Sequence, residues 1–158
     1  MKNPNIFNII GKLSPVILLV SSLYLLINKK TIILFYIIGF VVNLILNVVL
    51  KITLQYPRPY ENKKKFYLKL KNGIKMNFHE FGMPSGHAQS SFYSTIFIHY
   101  VFNNISITLF YLFFSLLSCF EKVINNEHSV FQISVGTIIG LLVGTVFYKF
   151  SLNKIKEK

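Results

Sequence analysis

TIILFYIIGFVVNLILNVVLK, residues 31–51, holds no charge until Lys51 closes it. Twenty or so residues at about 1.5 Å each cross the ~30 Å hydrocarbon core of a bilayer, so Thr31 to Leu50 is read as a transmembrane helix. Upstream, a first span runs from about Ser14 to Asn28, or from nearer Ile6, and Lys29-Lys30 ends it. Lys12 interrupts the N-terminal apolar run and no small-residue cleavage site follows, so this span is expected to stay uncleaved. Downstream, a polar segment extends to about Pro84. Hydropathy then marks only Phe92 to Phe102, but His87, Ser91, Thr95 and His99 fall on one i, i+4 line. Such a stripe must face protein or water. The third helix is therefore started at Pro84–Ser85, with the stripe turned inward. A fourth span covers about Ile105 to Phe120, and a fifth about His128 to Tyr148.

The expected fold is an all-α membrane bundle of about five transmembrane helices, a single domain over residues 1–158. Composition agrees: 53% of residues are hydrophobic and 14% charged, with the charges gathered between apolar runs. The net charge of +12 comes from 16 Lys and one Arg against five Glu, without any Asp. Much of that charge lies in loops between spans, which argues for anionic lipid headgroups as partners and against nucleic acid. Cys119, the only cysteine, lies in an apolar run and reads as a packed, inert thiol.

Residues 66–78 carry a hairpin signal, Asn72-Gly73. A loop of Lys71, Asn72 and Gly73 would set Phe66, Leu68 and Leu70 opposite Phe78, Met76 and Ile74, with all six on one face. The expectation is an interfacial β-hairpin lying on the membrane or over the site, with an irregular basic loop as the equal alternative.

Three clusters sit where spans meet one membrane face. In the first, Lys51 and Arg58 flank a bend forced by Pro57 and Pro59. A single arginine among 16 lysines suggests a task that needs a planar, bidentate fork, such as gripping a phosphate. Taken alone, the pair reads better as a snorkelling lysine and a loop cap. The second is Gly82-Met-Pro-Ser-Gly-His87, a helix start able to hold an anion on its backbone N–H groups. The Ser85 hydroxyl adds a donor, Gly86 lets an oxyanion approach, and His87 stands ready for proton transfer. The third is Lys122 to His128, with Gln132 one turn below. A helix N-terminus disfavours the imidazolium of His128 and keeps a ring nitrogen available as a nucleophile. Each cluster alone has a structural explanation. Together they bring two histidines, three cations and an anion-binding helix start to one face, as phosphoryl transfer requires. No cluster offers a metal site, so no metal or other cofactor is expected.

Lys51…Arg58-Pro59, Pro84-Ser-Gly-His87 and Lys122…His128 resemble the three signature blocks of the type-2 phosphatidic acid phosphatase and vanadium haloperoxidase superfamily, over about residues 31–148. Gly82 to Gln89 is similar to the dolichyl-diphosphate phosphatase branch. The resemblance implies that His128 attacks phosphorus and forms a phosphohistidine. It implies that His87 protonates the leaving oxygen and then activates water, while Lys51, Arg58, Lys122, Ser85 and Gly86 hold the non-bridging oxygens. The third block departs from the family pattern, with Glu121-Lys122 for Ser-Arg and Gln132 for Asp. Gln132 can orient His128 but brings no negative charge, a loss of up to ~10⁴ in rate by analogy with a catalytic triad. Glu127 or Glu121 is the available substitute carboxylate. One span of the family's usual six is missing, before the first block. The implied activity is metal-independent hydrolysis of a membrane lipid phosphate, either phosphatidic acid or a polyprenyl diphosphate. The alternative is a weakened or inactive relative that binds anionic lipid headgroups. A vanadate-holding haloperoxidase fits poorly, since those relatives are large soluble enzymes.

Overall fold

The structure, a computed structural model, describes residues 6–157. Six α-helices follow one another: α1 (Ile6–Leu26), α2 (Lys30–Leu54), α3 (Lys63–Lys71), α4 (Gly86–Phe102), α5 (Ile105–Ile124) and α6 (Val130–Lys156). A 3₁₀ turn, Phe78–Glu80, lies between α3 and α4. Among the described residues there is no strand, only a single bridge between Pro57 and Phe81.

Four helices, α1, α2, α5 and α6, are long and apolar enough to cross a membrane. Their outward faces expose Val20, Val41, Ile45, Phe113 and Leu142, which hydrocarbon would cover. α4 is shorter and packs against all four of these helices. That position explains its polar stripe. Ser91 and Thr95 are buried; Thr95 shares a 2.8 Å hydrogen bond with Ser115 of α5, and His99 Nδ1 one of 2.9 Å with Thr108. The stripe therefore faces inward, as its spacing requires. α6 approaches α4 through Gly136, Gly140 and Gly144, where a Cβ would collide with the α4 segment; at Gly136 it would lie 2.5 Å from the Ser85 carbonyl oxygen. Small residues at four-residue spacing allow this backbone contact.

The helix ends are set locally. Asn103 takes a left-handed conformation after α4, and the Asn104 side chain accepts from Ile107 N–H to start α5. At α6, Ser129 and Gln132 form a capping box. The starts of α5 and α6 are thus capped by side chains within their own turns.

The expected β-hairpin at 66–78 is not formed. Residues 63–71 are helical instead, with the Asn62 side chain accepting from Lys65 N–H. Gly73, at φ 65°, ends the helix: its N–H bonds Leu70 O, and Ile74 N–H bonds Lys69 O. That is a Schellman stop, so Asn72-Gly73 supplies the left-handed residue of a helix cap and not of a hairpin turn. A two-stranded ribbon without a third strand is marginal in water. The short helix instead buries Phe66 against Phe81, edge to face at 6.1 Å between ring centroids.

Candidate active site

One end of the bundle collects the three clusters. α2 ends with Lys51 on its inward face, in line with Asn43 and Asn47, all buried. Beyond α2 the chain pairs briefly with the segment before α4, through the Pro57–Phe81 bridge and a 2.7 Å bond from Gly82 N–H to Tyr56 O. Lys51 Nζ donates to Phe81 O at 3.0 Å. Arg58 is held twice by backbone, Nε to His79 O at 3.0 Å and Nη1 to Glu127 O at 3.5 Å.

The segment before α4 is anchored from both sides. Ser85 N–H donates to Gln132 O at 3.1 Å, and Asn47 Nδ2 donates to Pro84 O at 3.3 Å. Ser85 caps α4 by position, yet its buried hydroxyl makes no hydrogen bond with any described residue. Gly86 and His87 open the helix. His87 is half-buried, and with Lys12, Gly86 and Ser90 it lines the polar end of a cavity of about 330 Å³. The remainder of that cavity is Pro15, Val16 and Leu19 of α1 and Phe40 and Leu44 of α2.

His128 is buried just before α6. Its Nδ1 lies 2.8 Å from Gly82 O and 3.3 Å from Gln132 Oε1. A carbonyl oxygen only accepts, so Nδ1 carries the proton and Nε2 keeps its lone pair. Gln132 is fixed in turn: Nε2 donates to Pro57 O at 2.8 Å, and Oε1 accepts from Ser129 N–H at 3.0 Å. Burial, and then the charges of Arg58 and Lys51, push the His128 imidazole down to about 4. It is therefore neutral near pH 7.

Lys122 is buried at the end of α5 between two carboxylates. Glu121 Oε2 lies 3.1 Å away and Glu127 Oε2 2.8 Å away. Neither carboxylate is hydrogen-bonded to His128. The main acceptor for His128 is the Gly82 carbonyl. Burial works to raise the Glu127 carboxyl. The Lys122 hydrogen bond and the charges of Lys122, Arg58 and Lys12 outweigh it and hold the group below the usual carboxylate range.

Lys51, Arg58, Ser85, Lys122, His128 and Gln132 thus lie at one end, linked through the contacts above, and Gly86 and His87 follow Ser85 at the start of α4. The sequence reading missed Asn43, Asn47 and Gln89. Asn47 Nδ2 donates to Gln89 Oε1 at 2.8 Å, and Gln89 Nε2 donates to Asn43 Oδ1 at 2.9 Å. Their signal was present, since two asparagines four apart in an apolar span, with Lys51 a further four on, define one inward face.

Four helices long and apolar enough to cross a membrane, with two histidines and buried lysines gathered at one end, define a multi-pass membrane protein. The PAP2 superfamily profile matches residues 30–156, and the chain belongs to that superfamily. No curated protein and no solved structure matches the chain. α1, which supplies Lys12 and one wall of the cavity, precedes the matched region.

Proposed function

We propose that this membrane protein is a metal-independent lipid phosphatase working through a phosphohistidine. PAP2 membership suggests phosphatase activity. The observation that carries the mechanism is the Nδ1–Gly82 O bond, which leaves Nε2 of a neutral His128 as the nucleophile. In the first step Nε2 attacks phosphorus, a P–N bond forms, and the bond to the leaving oxygen breaks. His87 gives that oxygen its proton. In the second step His87 takes a proton from water, the hydroxyl oxygen attacks phosphorus, and the P–N bond breaks. Inorganic phosphate leaves and His128 is restored. Lys51, Arg58, Lys122, the Ser85 hydroxyl and the Gly86 N–H hold the non-bridging oxygens, where charge develops. The unpartnered Ser85 hydroxyl is a donor without a task unless an anion is bound.

The cavity supports a lipid substrate. Its apolar part lies between α1 and α2 and its polar end is at His87, so an acyl or prenyl chain can occupy it with the phosphate at the histidine. α4 is read as the fifth spanning element, enclosed by the other four. Phosphatidic acid and a polyprenyl diphosphate both satisfy this arrangement.

The test is phosphate release from each lipid by detergent-purified protein in EDTA, beside His128→Ala. Release that persists in EDTA and disappears in the variant is the expected result. A second reading, a non-catalytic binder of anionic headgroups, draws on Gln132, which brings no charge to stabilise an imidazolium. It is favoured if the native chain releases nothing while Gln132→Asp restores turnover.

A further inference from the structure

We infer that Glu127 is a built-in anion that competes with the substrate phosphate for Lys122 and Arg58, and so sets the affinity of the site. The inference rests on the phosphate-pocket reading above and assigns a role to a carboxylate which that reading leaves unused.

The carboxylate is placed by the end of α5. Asn126, at φ 56°, occupies the left-handed position of a Schellman stop: its N–H bonds Val123 O, and Glu127 N–H bonds Lys122 O. This turn folds Glu127 back over the residue five positions before it. Its Oε2 then lies 2.8 Å from Lys122 Nζ and 3.8 Å from Arg58 Nη1. One carboxylate oxygen thus serves two of the three cations that a phosphate would engage.

The two carboxylates on Lys122 differ in how readily each can leave. The Glu121 side chain is 0% exposed, its Oε1 accepts from Asn125 Nδ2 and its Oε2 faces Lys122 as an ion pair without a hydrogen bond, so it cannot turn out to water. The Glu127 side chain is 29% exposed and can rotate to water. Its departure strands no cation. Lys122 keeps Glu121, and Arg58 keeps its backbone bonds to His79 O and Glu127 O. The cations therefore stay in position while the carboxylate yields to phosphate, and each binding event exchanges one anion for another. A phosphate must be anionic enough to win that exchange, which disfavours weakly charged phosphodiesters.

The experiment compares the full chain with Glu127→Gln, an isosteric change. Dissociation constants for inorganic phosphate and orthovanadate are measured by calorimetry in detergent, alongside kcat and KM on the lipid substrate. The expected result is about ten-fold tighter anion binding and a similarly lower KM, with kcat changed less than about three-fold. Glu127→Asp, with the carboxylate withdrawn by one methylene, should fall between, and it carries the test if Glu127→Gln does not fold. Unchanged anion affinity, or a loss confined to kcat, overturns the inference. If neither form hydrolyses lipid yet the variant binds anions more tightly, the competition stands and the phosphatase reading fails.

Discussion

At the scale of single residues, the Gly82 carbonyl fixes which nitrogen of His128 carries the proton. The His128 ring sits at about 4 against an unfolded value of ~6.5. Between those values the unfolded chain binds more protons, so the folded state loses stability as pH falls through that window. The expected outcome is a thermal midpoint in detergent that drops from pH 6.5 to 4, with His128→Asn removing part of the drop. The acidic limb of kcat/KM, corrected for substrate ionisation, should fall near pH 4 and not near 6.5. Glu127, its carboxyl held low by Lys122, contributes stability above the unfolded carboxylate value and loses it as pH falls below that value. Asn43, Asn47 and Gln89 were passed over, whereas Lys51, Arg58, Ser85, Gly86, His87, Lys122, His128 and Gln132 were singled out by type and spacing. The Gly82 carbonyl was not, since a backbone acceptor leaves no mark in a sequence. It reaches His128 only because the segments around Tyr56 and Gly82 pair, a contact between positions far apart in the chain.

At the scale of elements, the spans were read from hydropathy and the inward turn of α4 from its four-residue polar spacing. Residues 66–78 went astray because Asn-Gly provides a left-handed residue to hairpin turns and helix stops alike. The tie is broken by the Asn62 cap and by Phe66 meeting Phe81, a tertiary contact that local pattern does not contain. The contact of α4 with α6 is the element pairing on which the site depends, because Gln132 O holds Ser85 N–H across it. A Cβ at Gly140 would run into the Gln89 carbonyl. Gly140→Ala should therefore destabilise the protein by about 1–3 kcal/mol. It should also lower kcat, because α4 must shift and carry His87 with it. Thermal unfolding and turnover measured on the same preparation check both effects. Wild-type stability in that variant would mean that the two helices separate without cost.

At the scale of the whole molecule, the bundle places its polar chemistry at one end and an apolar cavity beside it, between α1 and α2. Four helices long and apolar enough to span, and a fifth held among them, keep the buried asparagines, serines and lysines away from lipid. The central claim, that His128 takes the phosphoryl group, is tested most directly by trapping it. The protein is mixed with lipid substrate labelled with radioactive phosphorus, quenched in alkali and digested, and the labelled peptide is sequenced. The account predicts label on the peptide containing His128, stable to alkali, released by acid and absent from His128→Ala. Substrate turnover without any labelled histidine, including in His87→Ala where the second step should slow, would contradict it.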